Sequence, residues 1–454
     1  MENNNKNKIV LLIGCFFIFY LWVATKSSLT FHFEQDHRNY YHLLTDAFIN
    51  RKLDLLIKPP QGLIELKNPY DPETNGFYRW HGFHDLSYYK EKLYLYFGPT
   101  PVLLLYVPYK LLFNKGLPDA FAIFVFTFAT LIFSVLFLLN IKNTYLKNLP
   151  DWALLLGILI IGISNLSIYF LHHPSVYIIA ISSGMCFLTG ALYFFSKSLN
   201  NFNLKWISSG SILLGLAIGG RFYLVFIGSI LLIFMWINQS KGSMQLQNIS
   251  ESSFRKALIV PFSLCAIAHF LYNYLRFDNI FENGCTYQVT IWQVKFSYLN
   301  TINSICPNLY NYLLKPPVFI KSFPFLKIDY WQPDFRVLGA PEPIIGTLFL
   351  SPFVLVFFIG IIHYLKNKKI YNNDLNFPLK TIFILTIPIL INFLFLLSFR
   401  YVTLRYIADY LNLLVLSSCI LWFYFFDKSK FIKLFGFVTG IISIYVGIFT
   451  TLFR

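Results

Sequence analysis

The feature that most constrains this chain is a succession of apolar runs, each about as long as a membrane is thick and separated by short polar connections. Residues 9–25 (IVLLIGCFFIFYLWVAT) are almost wholly apolar, and comparable runs recur near 119–141, 152–171, 174–196, 206–220, 222–239, 256–275, 344–364, 379–398, 406–426 and 432–452. About 20 apolar residues in a helix cross the ~30 Å hydrocarbon core of a bilayer. In that solvent every backbone amide must be satisfied within its own segment, so runs of this kind fold as helices. The pattern predicts an all-α polytopic membrane protein with about eleven transmembrane helices. A hydrophobic fraction of 56% and a mean hydropathy of +0.57 exclude an ordinary soluble domain. No small-residue cleavage site follows the first run, which reads as a retained anchor and not as a signal peptide.

The net charge of +16 would suit a nucleic-acid binder if the lysines shared one surface, but they fall in short clusters between apolar runs. The clusters are Lys142 with Lys147, Lys197 with Lys205, Lys241 with Arg255 and Lys256, Lys366 with Lys368 and Lys369, and Lys428 with Lys430 and Lys433. Cytoplasmic loops carry this signature, so the partner implied is the bilayer and no nucleic acid. One segment decides the topology. Residues 99–113 (PTPVLLLYVPYKLLF) are short and interrupted by Pro99, Pro101 and Pro108. If they cross, every later lysine cluster moves outside. If they lie along the outer surface, every cluster joins Lys6 and Lys8 on one side, as the charge rule favours. The expected placement is multi-pass in a bacterial inner membrane with a cytoplasmic N-terminus.

On that topology the acids sort to the outer face, in two long external loops, 26–118 and 277–343, of a single membrane-embedded domain spanning 1–454. The outer face also receives three short turns: His172-His173-Pro174, Gly219-Gly220-Arg221, and the stretch from 399 to Arg405. The first loop is the largest polar insert and follows the first helix directly. It begins with Glu34-Gln35-Asp36, ahead of HLLTDAF, whose Leu43, Leu44 and Ala47 have helical spacing. A surface helix there would lay its apolar face on the bilayer and hold Asp36 and Tyr40 near a lipid headgroup. A carboxylate so placed serves as general base toward a hydroxyl, or the acids simply start a helix. Asn68-Pro69-Tyr70-Asp71-Pro72 reads as a turn. His84 beside Asp85 orients a substrate, binds a metal or caps a helix. No metal-spacing motif accompanies the pair, and no metal or other cofactor is assigned. Arg221 interrupts GLAIGGRFYLVFIG, where a charge costs ~2.5–3.5 kcal/mol or more; it is either a phosphate ligand or a snorkelling side chain. Arg405 and Asp409, at i and i+4, read as an ion pair, and Arg400 and Arg405 are further phosphate candidates. Of six cysteines, Cys285 and Cys306 alone fall in an external loop, where an oxidising compartment would let them pair.

With loop, topology and arginines in place, the chain resembles the GT-C superfamily of integral-membrane glycosyltransferases, which includes the protein O-mannosyltransferases and the lipid A aminoarabinose transferases. The resemblance rests on the large loop after the first helix, on Glu34-Gln35-Asp36 within it, and on the stretches NPYDP, YLYFGPTP and RFDNIFENGCTYQ. Many members have adjacent acids, whereas Gln35 separates them here, so either Asp36, the first choice, or Glu34 is the base. The resemblance implies a polyprenyl-phosphate sugar donor, transfer of a hexosyl or pentosyl group with inversion, and a cell-envelope glycan, lipid or protein as acceptor on the extracytoplasmic face. It also implies Arg221, Arg400 and Arg405 on the donor phosphate, with His84 and Asp85 on the acceptor side. The absence of a glycine-rich nucleotide loop agrees with a lipid-borne donor. Two other classes handle lipid-linked sugars, the first without catalysis. A lipid-linked-sugar flippase would place charges near the midplane of two related halves, and no repeat is seen. A polysaccharide polymerase or ligase would carry its large loop late in the chain.

The topology has a direct test. Single cysteines replacing Lys142 or Lys368 should resist an impermeant thiol reagent in intact cells, and one replacing Thr74 should label; labelling at position 368 from outside overturns the assignment.

Overall fold

A computed structural model describes residues 2–33, 39–200, 203–240, 250–291, 302–331, 341–367, 378–398 and 402–452. Its principal helices are α1 (Glu2–Ala24), α2 (Tyr40–Ile49), α3 (Val107–Phe113), α4 (Asp119–Tyr145), α5 (Asp151–Ile163), α6 (Ser167–His172), α7 (Val176–Asn200), α8 (Leu204–Ile218), α9 (Leu224–Ser240), α10 (Glu251–Phe277), α11 (Ile302–Leu309), α12 (Leu355–Lys366), α13 (Pro378–Leu397), α14 (Leu404–Phe425) and α15 (Lys430–Leu452). Among the described residues seven segments are long and apolar enough to cross a membrane: α1, α4, α5 with α6, α7, α10, α14 and α15. The other four expected spans correspond to α8, α9, α12 and α13, which are shorter apolar helices. The chain is a multi-pass membrane protein.

Burial sorts these helices. The spans Val176–Ser198 and Leu404–Phe425 are 94% and 89% buried, against 22% for Lys6–Ala24, so α7 and α14 form the centre and α1 lies at the periphery. α7 packs on α4 and α8, α8 on α10, and α14 on α12 and α13. Apolar matching alone gives little specificity between helices surrounded by lipid; buried amides supply it. Asn412 of α14 donates to Thr189 Oγ1 of α7 at 3.1 Å and accepts from Asn165 Nδ2, between α5 and α6, at 2.9 Å. At the edge, the Tyr20 hydroxyl of α1 donates to the Gly162 carbonyl at 2.5 Å.

The doubtful proline-interrupted segment does not cross. Its apolar helix runs over Val102–Phe113, twelve residues and so about 18 Å at a helical rise, well short of the hydrocarbon core. Its start and its middle are held at one end of the bundle: the Thr100 amide donates to the Gly219 carbonyl at 3.2 Å, and the Tyr106 hydroxyl donates to Asp119 at the start of α4 at 2.6 Å. Leu111 and Leu112 of α3 are exposed and form the apolar surface of this segment. The expectation for α2 needs correction. Leu44 and Ala47 are fully buried because residues 102–106 and the strand after Glu91 cover that face. The protein, and not the bilayer, takes the apolar side of α2.

The two long polar loops fold together. Strands β1 (Leu86–Tyr89) and β2 (Lys92–Leu95) pair antiparallel with Leu86 opposite Leu95. The second loop joins this hairpin: the Val289 amide donates to Leu86 O and the Asp85 amide to Val289 O, both at 2.9 Å. Buried Arg276, at the end of α10, donates to Leu95 O at 2.6 Å and to Asn273 Oδ1 at 2.9 Å, fixing the hairpin to the bundle. The turn Asn68–Asp71 forms as expected, with Asn68 Oδ1 accepting from the Tyr70 amide at 3.2 Å.

Four glycines allow a close approach beside the hairpin. A Cβ on Gly98 would collide with the Gly219 carbonyl, one on Gly219 with Thr100, and one on Gly220 with Ser183 and Gly184; one on Gly184 would press on the Arg221 side chain at 3.0 Å. Arg221 is therefore set by backbone-to-backbone packing that no larger residue permits. Gly98→Ala should destabilise the purified protein by about 1–3 kcal/mol, read as a lowered unfolding midpoint. Gly14→Ala, where nothing lies within 4 Å, should show no such loss; equal midpoints for the two variants would contradict this packing.

Candidate active site

At the end of the bundle that carries this glycine contact, side chains from six places in the sequence converge. Asp85, just before β1, has φ +61°, a left-handed conformation that aspartate tolerates better than most residues, and its amide is spent on Val289. That turns its carboxylate toward the start of α7, where the Tyr177 hydroxyl donates to Asp85 Oδ2 in a short hydrogen bond. His84 Nε2 lies 3.5 Å from the same oxygen. The Tyr40 hydroxyl, at the start of α2, donates to the His84 carbonyl at 2.6 Å. The first loop's acidic and aromatic elements thus meet the membrane helices at the His84–Asp85 pair.

Tyr177 links the carboxylate to the arginines. The Arg405 guanidinium lies 4.3 Å from the Tyr177 ring centre and its Nη2 is 3.3 Å from Glu342 Oε1. Thr403 donates to the other Glu342 oxygen at 2.8 Å. Tyr406 then stands between the arginines, its ring 6.0 Å from Arg405 and 5.7 Å from Arg221. Arg221 Nη2 donates to Asp409 Oδ2 at 2.5 Å. The side chains of this pair are 15% and 5% exposed. The line therefore runs His84, Asp85, Tyr177, Arg405, Tyr406, Arg221, Asp409, with each cation stacked on a ring and held by a carboxylate.

This arrangement revises the pairing read from the sequence. Arg405 does not pair with Asp409 one helical turn away; Asp409 faces the 219–221 turn and takes Arg221, while Arg405 reaches across to Glu342. The reason is direction: the two residues leave α14 toward different neighbours, and the ion pair that forms is the one spanning the interior. Arg221, His84, Asp85 and Arg405 are brought together. Glu34, Asp36 and Arg400 lie outside the described residues. Cys285 and Cys306 are both free thiols, so the expected bridge is not formed here. Cys306 is exposed on α11, which packs on α13, whereas Cys285 sits in the turn beside the hairpin. Burial, with Glu282 nearby, pushes the Cys285 thiol up to about 12, and a protonated thiol exchanges slowly. The roles of Tyr177 and Glu342 escape sequence reasoning, since a tyrosine at a helix start and a lone loop acid carry no motif.

Several buried polar atoms remain unspent among the described residues. Arg221 Nε, Tyr41 Oη, Tyr272 Oη and His269 Nε2 lack hydrogen-bond partners. Tyr41 is stacked between Phe97 and Tyr106, at 6.4 and 5.6 Å. Burial, aided by the charge of Asp119, holds its phenol well above the usual range, so it remains a neutral donor. Burial and the charge of Asp85 do the same for Tyr96. Among the described residues no three His, Cys, Asp or Glu side chains converge as a metal site. The ion pair should behave as one unit. Asp409→Ala and Arg221→Ala should each cost about 3–5 kcal/mol by stranding a buried charge, and the double variant should cost less than their sum in thermal unfolding. Strict additivity would show that the pair does not exist.

No family model matches the sequence, and no curated protein matches it. Solved structures do. The apo oligosaccharyltransferase of Archaeoglobus fulgidus superposes with a TM-score of 0.53 at 12% identity, over 97% of this chain and 56% of its own length. ArnT from Cupriavidus metallidurans, bound to undecaprenyl phosphate, gives a TM-score of 0.47 at 10% identity, over 93% of this chain and 61% of its own. The chain spans less than two thirds of the length of either structure. Identity this low speaks to the fold alone: this chain shares the multi-span membrane architecture of the oligosaccharyltransferase, and an all-helical membrane fold is the one expected from the sequence.

Proposed function

We propose that this protein is a membrane glycosyltransferase that moves a hexosyl or pentosyl group from a polyprenyl-phosphate donor to a cell-envelope acceptor on the extracytoplasmic face. The observation that carries the reading is the convergence of Asp85, Arg405 and Arg221 at one end of a GT-C fold, where the first loop closes over the bundle. The physical fit is as follows. A prenyl chain contributes ~0.8 kcal/mol per buried CH₂, and the exposed apolar surface of α3 borders the same end of the bundle. The leaving group is a phosphate, on which charge grows as the bond to the anomeric carbon breaks. Cations already oriented by carboxylates stabilise that charge without reorganising. Arg221 keeps Nε for this purpose, since Asp409 holds Nη2. Arg405 adds a second cation there, and Arg400, five residues before it in sequence, is assigned to the phosphate in this reading.

The acceptor hydroxyl needs a base on the opposite side of the anomeric carbon. Asp36 takes that role in this reading, with Glu34 orienting the loop. Asp36 precedes by four residues the Tyr40 whose hydroxyl holds the His84 carbonyl. His84 and Asp85 then receive the acceptor: Asp85, fixed by Tyr177, accepts from an acceptor hydroxyl, and His84, 36% exposed, lies at the entrance. The base removes the hydroxyl proton, the oxygen attacks the anomeric carbon, and the phosphate leaves with the bonding pair, inverting the centre.

Transfer from a radiolabelled polyprenyl-phosphate sugar in membranes tests this. Asp36→Asn should lower the rate ~10²–10⁴-fold, the range for loss of a general base, while insertion and folding persist. Glu34→Gln should cost less. The reverse pattern passes the base role to Glu34, and full activity in both variants refutes the mechanism.

A further inference from the structure

The far end of the bundle holds a cleft that the transfer reading leaves unused. It has a volume of about 460 Å³ and lies between the end of α4, the 146–149 connection and the end of α14. Because α4 starts at Asp119 and α14 at Leu404, both beside the candidate active site, their other ends lie a helix length away. For the 22 residues of α14 this is about 33 Å, the thickness of the hydrocarbon core. The cleft therefore opens at the opposite membrane surface.

Its lining combines two lysine clusters that are far apart in sequence. Lys147 comes from one and Lys428 from the other, with Asp427, Asn148, Tyr145 and Tyr424 around them. Lys428 Nζ lies 3.7 Å from the Tyr424 ring centre, so the ring holds the ammonium at the cleft. Two lysines against one aspartate leave one net positive charge in the lining, the complement of a single phosphodiester. The depth is that of lipid headgroups. Trp152, 47% exposed, packs against Phe426 and Phe437 beside the cleft, and Tyr145 is 38% exposed on its wall. Tryptophan and tyrosine collect at this level of a membrane.

We infer that this cleft seats the phosphodiester headgroup of an anionic phospholipid from the leaflet opposite the candidate active site, with Lys147 and Lys428 on the phosphate. A free phosphate offers the same charge, but the aromatic border and the position at the bilayer surface select the lipid. The site is independent of the transfer reading and stands whether or not that reading holds.

The test is native mass spectrometry of the purified full chain after exchange into phosphatidylglycerol or phosphatidylcholine. One phosphatidylglycerol should be retained in preference to phosphatidylcholine. Lys147→Gln and Lys428→Gln should each weaken retention about fivefold, and together about 25-fold, the contribution of one basic residue near an anionic surface. The Lys147→Arg, Lys428→Arg double variant should restore it, which separates lost charge from lost fold. Inorganic phosphate at millimolar concentration should not displace the lipid. Equal retention of both lipids, unchanged retention in the glutamine double variant, or full displacement by inorganic phosphate would each overturn the assignment.

Discussion

A cation inside a helical bundle must be neutralised where it stands, because neither lipid nor packed side chains will solvate it. Arg221 and Asp409 meet that demand for each other, and the pair ties together two parts of the fold that are far apart in sequence. Arg221 belongs to the turn between α8 and α9, Asp409 to the central helix α14. Held by this pair, the turn must come close to the 96–100 segment, and glycines at 98, 219, 220 and 184 make the approach sterically possible. The segment in turn follows directly from β2, so the hairpin takes its position from the membrane core.

The second ion pair extends the same logic outward. Arg405 is one turn before Asp409 on α14, yet it pairs with Glu342 from the second long loop and stacks on Tyr177 of α7. Tyr177 then fixes Asp85 of the first loop. Two carboxylates hold two cations, two tyrosine rings lie between them, and a third carboxylate ends the line. Such a network has few alternative arrangements, because removing any one member strands a buried charge or donor. It is rigid in the way a site for developing charge needs to be. Among the buried atoms of the described residues that lack partners, Arg221 Nε and the Tyr41, Tyr272 and His269 groups belong to elements bordering this network.

Much of the fold was legible because membrane spans are set by length and composition alone. Each of the eleven apolar runs has a helix, and the proline-interrupted segment lies at one end of the bundle, as the lysine distribution required. What the sequence concealed is direction. The i,i+4 spacing of Arg405 and Asp409 is a local signal for an ion pair, and a long-range partner displaced it on each side. Leu44 and Ala47 have the spacing of a face on lipid, but spacing cannot tell lipid from another apolar segment, and residues 102–106 cover them. Cys285 and Cys306 shared a loop in sequence, yet one lies beside the hairpin and the other on a helix against α13. His84 and Asp85 stood out as an imidazole beside a carboxylate; the tyrosine that fixes the carboxylate comes from 92 positions away and carries no local signal.

The central claim is that the arginine end of the bundle receives a lipid phosphate. Photocrosslinking addresses it most directly, using the purified full chain and a polyprenyl-phosphate analogue with a photoreactive group next to the phosphate. Peptide mapping should place the crosslinks on residues 219–223 and 402–409 and on the 84–97 hairpin region, and excess unlabelled polyprenyl phosphate should suppress them. An absence of crosslinks at the arginine end, or crosslinks there that no competitor removes, would contradict the account.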